Sequence, residues 1–149
     1  MTATVLAAAM PAPAVTATGG SAWYRASRQS LTLLFRIEGH RVALVWGSYR
    51  EHCSSGRPHR GFIDNAQFNR RINQNGRFRW RTLAEADTFT FFQKGHGTVH
   101  PNALTGQFFV QFTQSGAVDK RCWTGRSFNN PWTRFVARRL GGPPQSGRG

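Results

Sequence analysis

Arg77-Phe78-Arg79-Trp80-Arg81 is the segment whose residue types and spacing carry the clearest chemistry. Strict polar–apolar alternation marks a half-buried strand, so two aromatic rings turn inward and three guanidinium groups project from one face. Arginine presents a planar fork of donors that fits phosphate, sulfate or carboxylate, and it stacks on aromatic rings. Such a stripe can follow an extended polyanion, and exposed aromatics beside it can stack on bases. Arg70, Arg71, Arg138 and Arg139 extend the field. These seven arginines are the candidate anion-binding set. The competing reading is a solvated outer face on a generically basic protein.

Other groupings offer less. His96 and His100 share a face if they lie on one strand, but about 13 Å apart, too far for one metal without a bend. His52, Cys53 and His59 have the donor types for zinc. A disulfide at Cys53 removes the thiolate, and with it both the metal ligand and any cysteine nucleophile. The acids are Glu38, Glu51, Asp64, Glu85, Asp87 and Asp119, and most fall at strand ends or in loops. Glu85 and Asp87 are close enough to pair. A nuclease-like pair drawn from His52, His59, His96 and His100 is the one enzymatic constellation left. The reading is therefore non-enzymatic, with no catalytic residues, no cofactor and no metal; a small secreted hydrolase or nuclease is the enzymatic alternative.

The elements that must position these groups follow from composition and pattern. Among 149 residues, 20 basic residues face six acidic ones, for a formal net charge of +14. All the basic residues except Lys94 and Lys120 are arginine. A field of this sign attracts nucleic acid, anionic lipid headgroups or acidic cell-wall polymer. Twelve Phe, five Trp and two Tyr are enough to exclude a disordered chain. The only cysteines, Cys53 and Cys122, permit one pairing; a bridge is the favoured reading because the N-terminus hints at export, and the alternative is two unrelated buried thiols in a cytosolic protein.

Residues 31–38 place Leu31, Leu33, Phe35 and Ile37 on one face; Gly39-His40 reverses the chain; Val42, Leu44 and Trp46 then share a face. This is a β-hairpin signature. Residues 53–61 read as a loop, and Phe62-Ile63 and Phe68–Ile72 as short strands. Asn75-Gly76 turns the chain into the Arg77–Arg81 strand. Residues 81–87 offer one helical turn at most. Thr88–Phe92 is a strand that Gly95-His96-Gly97 interrupts, with Thr98–His100 resuming it. Leu104–Thr113, Val118–Trp123 and Trp132–Ala137 complete the set. The expected fold is all-β: an antiparallel β-sandwich or a closed barrel of about nine to ten short strands, with one disulfide.

Residues 1–20 are read as a signal remnant or flexible leader, with A-x-A-like sites such as Ala12-Pro13-Ala14 but no basic leading segment. Residues 21–140 form a single β-domain, and 141–149 a disordered tail. No stretch reaches the roughly 18 apolar residues of a transmembrane span. The expected location is secreted or cell envelope.

Several landmarks recur in a fixed order. They are Gly19-Gly20 with Trp23-Tyr24, the Leu34–Val42 hairpin, Cys53-Ser54-Ser55-Gly56, and Ile72-Asn73-Gln74-Asn75-Gly76-Arg77-Phe78. Leu104–Val110 follows, then Cys122-Trp123-Thr124-Gly125 and the closing Trp132–Arg139 segment. Over most of residues 19–139 this order resembles an uncharacterised group of exported actinobacterial β-domains with paired C-x-x-G elements. The resemblance implies a secreted β-sandwich with the two cysteines bridged, and it carries no activity. The chain departs from the group in its phenylalanine content, around TFTFF and QFFVQF, and in its five histidines. The functional expectation is a non-enzymatic secreted or cell-envelope β-domain of unknown molecular function, with binding of anionic surface polymer as an extension of that reading. A nucleic-acid-binding β-barrel is the alternative. Strand order and oligomeric state stay open.

Overall fold

A computed structural model describes residues 20–28, 30–63, 69–116 and 120–144. The leader up to residue 19 and the last five residues of the tail lie outside the described residues, as do Asp64, Phe68, Val118 and Asp119.

Ten strands follow one another: β1 Ala22–Arg28, β2 Leu31–Glu38, β3 Arg41–Cys53, β4 His59–Ile63, β5 Arg70–Arg71, β6 Arg77–Ala86, β7 Phe89–Val99, β8 Ala103–Gln114, β9 Lys120–Trp123 and β10 Thr133–Arg139. Six of them close a barrel in the order β1-β2-β3-β9-β8-β10, with β10 returning to β1 and every pairing antiparallel. The fold is thus a barrel and not the sandwich that the family resemblance implied. β7 adds to the second edge of β8, and β6 to β7. β4 and β5 add to β3.

Alternation drives the closure. Leu31, Leu33, Phe35 and Ile37 on β2 are all buried, as are Val42 and Leu44 on β3. Glu38 faces Arg41 across the two-residue reversal, and Gly39 takes a φ of 55°, the left-handed conformation such a turn requires. The core centres on rings. Phe35 stacks on Phe135 at 5.2 Å between centroids and meets the edge of Phe78 at 6.5 Å. Phe108 lies 6.3 Å from Phe135 and 6.2 Å from Tyr49. Burial pushes the Tyr49 hydroxyl well above the usual phenol range, and the neighbouring Glu51 carboxylate adds to the shift.

The sulfurs of Cys53 and Cys122 are bonded, and the two residues face each other directly in the β3–β9 ladder. No cysteine is free.

Three local expectations are corrected. Trp46 does not join Val42 and Leu44 inside: the β2–β3 register shifts at Leu34/Phe35, where Val45 forms a bulge, and Trp46 ends 39% exposed. Residues 53–61 are only partly loop, because β3 runs on to Cys53 and β4 starts at His59. Residues 81–86 continue β6, within the bound of at most one helical turn, and the expected break at Gly95-His96-Gly97 is absent. β6 and β7 form one long hairpin, paired from Arg77↔Thr98 to Ala86↔Phe89.

The glycines of β7 hold a packing role. Gly95 and Gly97 lie opposite Trp80 and Phe78, whose rings cover them; a Cβ at Gly95 would sit 2.1 Å from the Trp80 indole. Gly106 on β8 is tighter against backbone. A Cβ there would lie 2.2 Å from the His96 carbonyl oxygen, which no rotamer change relieves. Gly106→Ala is therefore expected to lose about 1–3 kcal/mol by forced strand displacement, read from the urea unfolding midpoint. An unchanged midpoint would refute the close β7–β8 approach.

Candidate polyanion-binding face

The β6–β7 hairpin sets the site because its outer face is one continuous surface with that of β8. Arg77 faces Thr98, Arg79 faces His96 and Arg81 faces Lys94. The rows continue onto β8, with His96 opposite Gln107 and Lys94 opposite Phe109. One row reaches a further strand, since Gln107 faces Arg134 on β10. Directly paired residues point to the same side of a sheet. Arg77, Arg79, Arg81, Lys94 and His96 are exposed there, while Phe78 and Trp80 are 3% and 2% exposed on the inner side.

An open cleft of about 700 Å³ spans this face, from Arg70 across β6 and β7 to Trp132. That is within the size of ordinary ligand sites. No carboxylate lines the cleft among the described residues. The nearest acid on the same face of β6 is Glu85, four residues beyond Arg81 and so about 13 Å along the strand. Glu38 is held by Arg36 at 3.2 Å, and Glu51 by His59 at 2.8 Å.

Aromatic rings border the cations. The Arg81 guanidinium lies over the Phe92 ring at 5.2 Å. Phe92 meets Phe109 at 5.2 Å, and Phe109 meets the half-buried Trp132 at 4.7 Å, both edge-on. His96 lies 5.4 Å from Trp132. Trp132 is held by a strap, residues 124–132, whose anchor is the buried Thr124. Its amide donates to the Val110 carbonyl, and its hydroxyl accepts from the Val110 amide and donates to the Pro131 carbonyl, at 2.9–3.0 Å. Thr124 thus fills the stretch of β8 between its pairings with β10 and β9. Further along, Gln111 donates to the Phe128 carbonyl at 2.7 Å. Phe128 and Arg81 then bound a second, smaller hollow of about 210 Å³ over Phe92 and Leu83.

Of the seven arginines read from the sequence, Arg70, Arg77, Arg79 and Arg81 line the main cleft. Arg71 lies opposite Arg41 on the β3–β5 ladder. Arg138 faces Ala103 and Arg25, and Arg139 faces Tyr24 while donating to the Pro101 carbonyl at 3.3 Å. Those three are outside the cleft. Lys94, Phe92, Phe109 and Trp132 were missed, and His96 was read as a metal or nuclease-like candidate and not as part of this face. Phe92, Lys94 and His96 share one phase of the β7 alternation, but the flanking glycines hide it.

The histidines are engaged separately: His52 stacks on Trp123, His96 touches Trp132 and His100 lies 3.4 Å from the Thr105 hydroxyl. Among the described residues the one cluster with metal-ligand types is Glu51, Cys53 and His59. Its cysteine is oxidised, so the cluster keeps two donors and no thiolate.

Comparison with protein-family models, with curated proteins and with solved structures finds no match. Among the described residues no helix is long and apolar enough to cross a membrane.

Proposed function

We propose that this chain is a non-enzymatic binding domain whose β6–β7–β8 outer face holds an anionic polymer. One observation carries the reading: Arg77, Arg79, Arg81 and Lys94 project from one sheet face into a cleft that no described carboxylate lines. Cations left without acids beside them keep their field available for an outside partner. Arginines on alternate residues recur about 6.8 Å apart, a regular row suited to a repeating charge. The disulfide supports work in an oxidising compartment, secreted or at the cell envelope. Kinship with the exported β-domain group belongs to the same reading.

The test is binding of a base-free oligomer of deoxyribose phosphate, a bare phosphodiester chain. Four contacts at a slope of about 0.7 each imply that affinity falls by roughly fiftyfold between about 50 and 200 mM salt. Absent or salt-insensitive binding overturns the proposal.

A further inference from the structure

We infer that the polymer this face fits best is a single-stranded nucleic acid, with bases stacked on Trp132 and in the hollow beside Phe128. The inference rests on the polyanion reading and narrows it. Three observations support it.

The first is the placement of rings. The arginines form a row on β6, and the aromatics lie to one side of that row, on β7, β8 and the strap, with Lys94 on β7 between Arg81 and Phe109. A single strand has this layout: charges along its backbone and flat groups projecting to one side. In a duplex the bases face each other and their faces are covered, so Trp132 and Phe92 would gain no partner.

The second is the scarcity of acceptors. Sugar hydroxyls donate as well as accept, so a glycan site needs carboxylates or carboxamides. Among the described residues the main cleft has neither; Thr98 and His96 are its side chains able to accept. A hydroxyl-rich wall polymer would leave its donors poorly matched. Phosphate oxygens only accept, and the cleft is built of donors.

The third is the second hollow. Its apolar walls are Leu83, Phe92 and Phe128, and Arg81, Thr90, Gln111 and Thr113 complete the lining. Leu83 is 47% exposed. A bare phosphate chain has nothing to bury there, whereas a base does. Arg81 borders both hollows, so one guanidinium can hold the phosphate between two stacked bases.

The experiment compares oligothymidylate with the base-free oligomer of equal length, and with a duplex, by fluorescence titration of the full chain. Stacking is expected to favour oligothymidylate over the base-free chain by about five- to a hundredfold per stacked base. Trp132→Ala is expected to remove the share of that preference owed to the base on its ring, about five- to a hundredfold, and leave affinity for the base-free chain within about twofold. Trp132→Phe, which keeps a ring, retains the preference and controls for loss of the strap. Equal binding of both oligomers, or preference for the duplex, overturns this inference and leaves the polyanion reading standing. No binding of any of the three overturns both.

Discussion

Replacing Arg77, Arg79 and Arg81 together with alanine is expected to cut affinity for a single-stranded phosphodiester chain by about a hundredfold at about 0.1 M salt. The figure follows from counterion release. Each phosphate contact contributes about 0.7 to the logarithmic salt slope, so three lost contacts flatten it by about 2. Extrapolation from a 1 M reference to 0.1 M then gives the hundredfold loss. The three side chains are exposed and make no ion pair among the described residues, so the fold has little to lose. Removing like charges from neighbouring positions even relieves repulsion. Filter binding across a salt series decides the matter. An unchanged slope would place the polymer elsewhere on this basic surface. As a contrast, Arg138→Ala with Arg139→Ala should change the slope much less, because both lie outside the cleft.

The second large effect concerns stability. Cys53→Ala with Cys122→Ala is expected to lose roughly 4 kcal/mol. The bridge joins residues 69 apart, and the entropy of closing a loop of that length sets the size. For a domain of this size the melting temperature should fall by more than about 10 °C. The same shift should follow when the unmodified chain is melted in reductant. The position of the bridge adds a structural reason. Among the described residues β9 runs Lys120–Trp123 and pairs with β3 at two positions, His52↔Trp123 and Cys53↔Cys122, with the Ser54 amide donating to the Arg121 carbonyl at 2.7 Å beyond them. Without the sulfur link, the barrel is closed at this seam by that short ladder. A melting temperature within about 2 °C of the parent would show that the ladder suffices.

The strands were legible wherever alternation was unbroken. Leu31–Ile37 and Arg77–Arg81 show a period of two in residue type, and burial follows it residue by residue. The pairing of Cys53 with Cys122 was legible because two cysteines allow one bridge. Strand order was not, since it depends on contacts between segments that no local pattern records. The β7 strand was misread because glycine is a turn former in isolation. Gly95 and Gly97 are there because Trp80 and Phe78 occupy the space a side chain would need, a fact of the opposite strand. Trp46 was misplaced for a related reason: a bulge moves one residue out of phase without any mark in composition. The arginine half of the site could be read directly. The aromatic half could not, because Trp132 reaches it through a strap held by Thr124 and Gln111, contacts that no local pattern records.

The pairing of β1 with β10 bears on how the chain is made. Tyr24 meets Arg139, so the seam joins the two ends of the domain. Synthesis proceeds from the first residue to the last, and β1 must wait with one edge open until β10 has emerged. The β2–β3 and β6–β7–β8 hairpins need only near neighbours and can form during that wait. A chain that ends before residue 133 would therefore hold a curled but unsealed sheet, and the last strand would complete it.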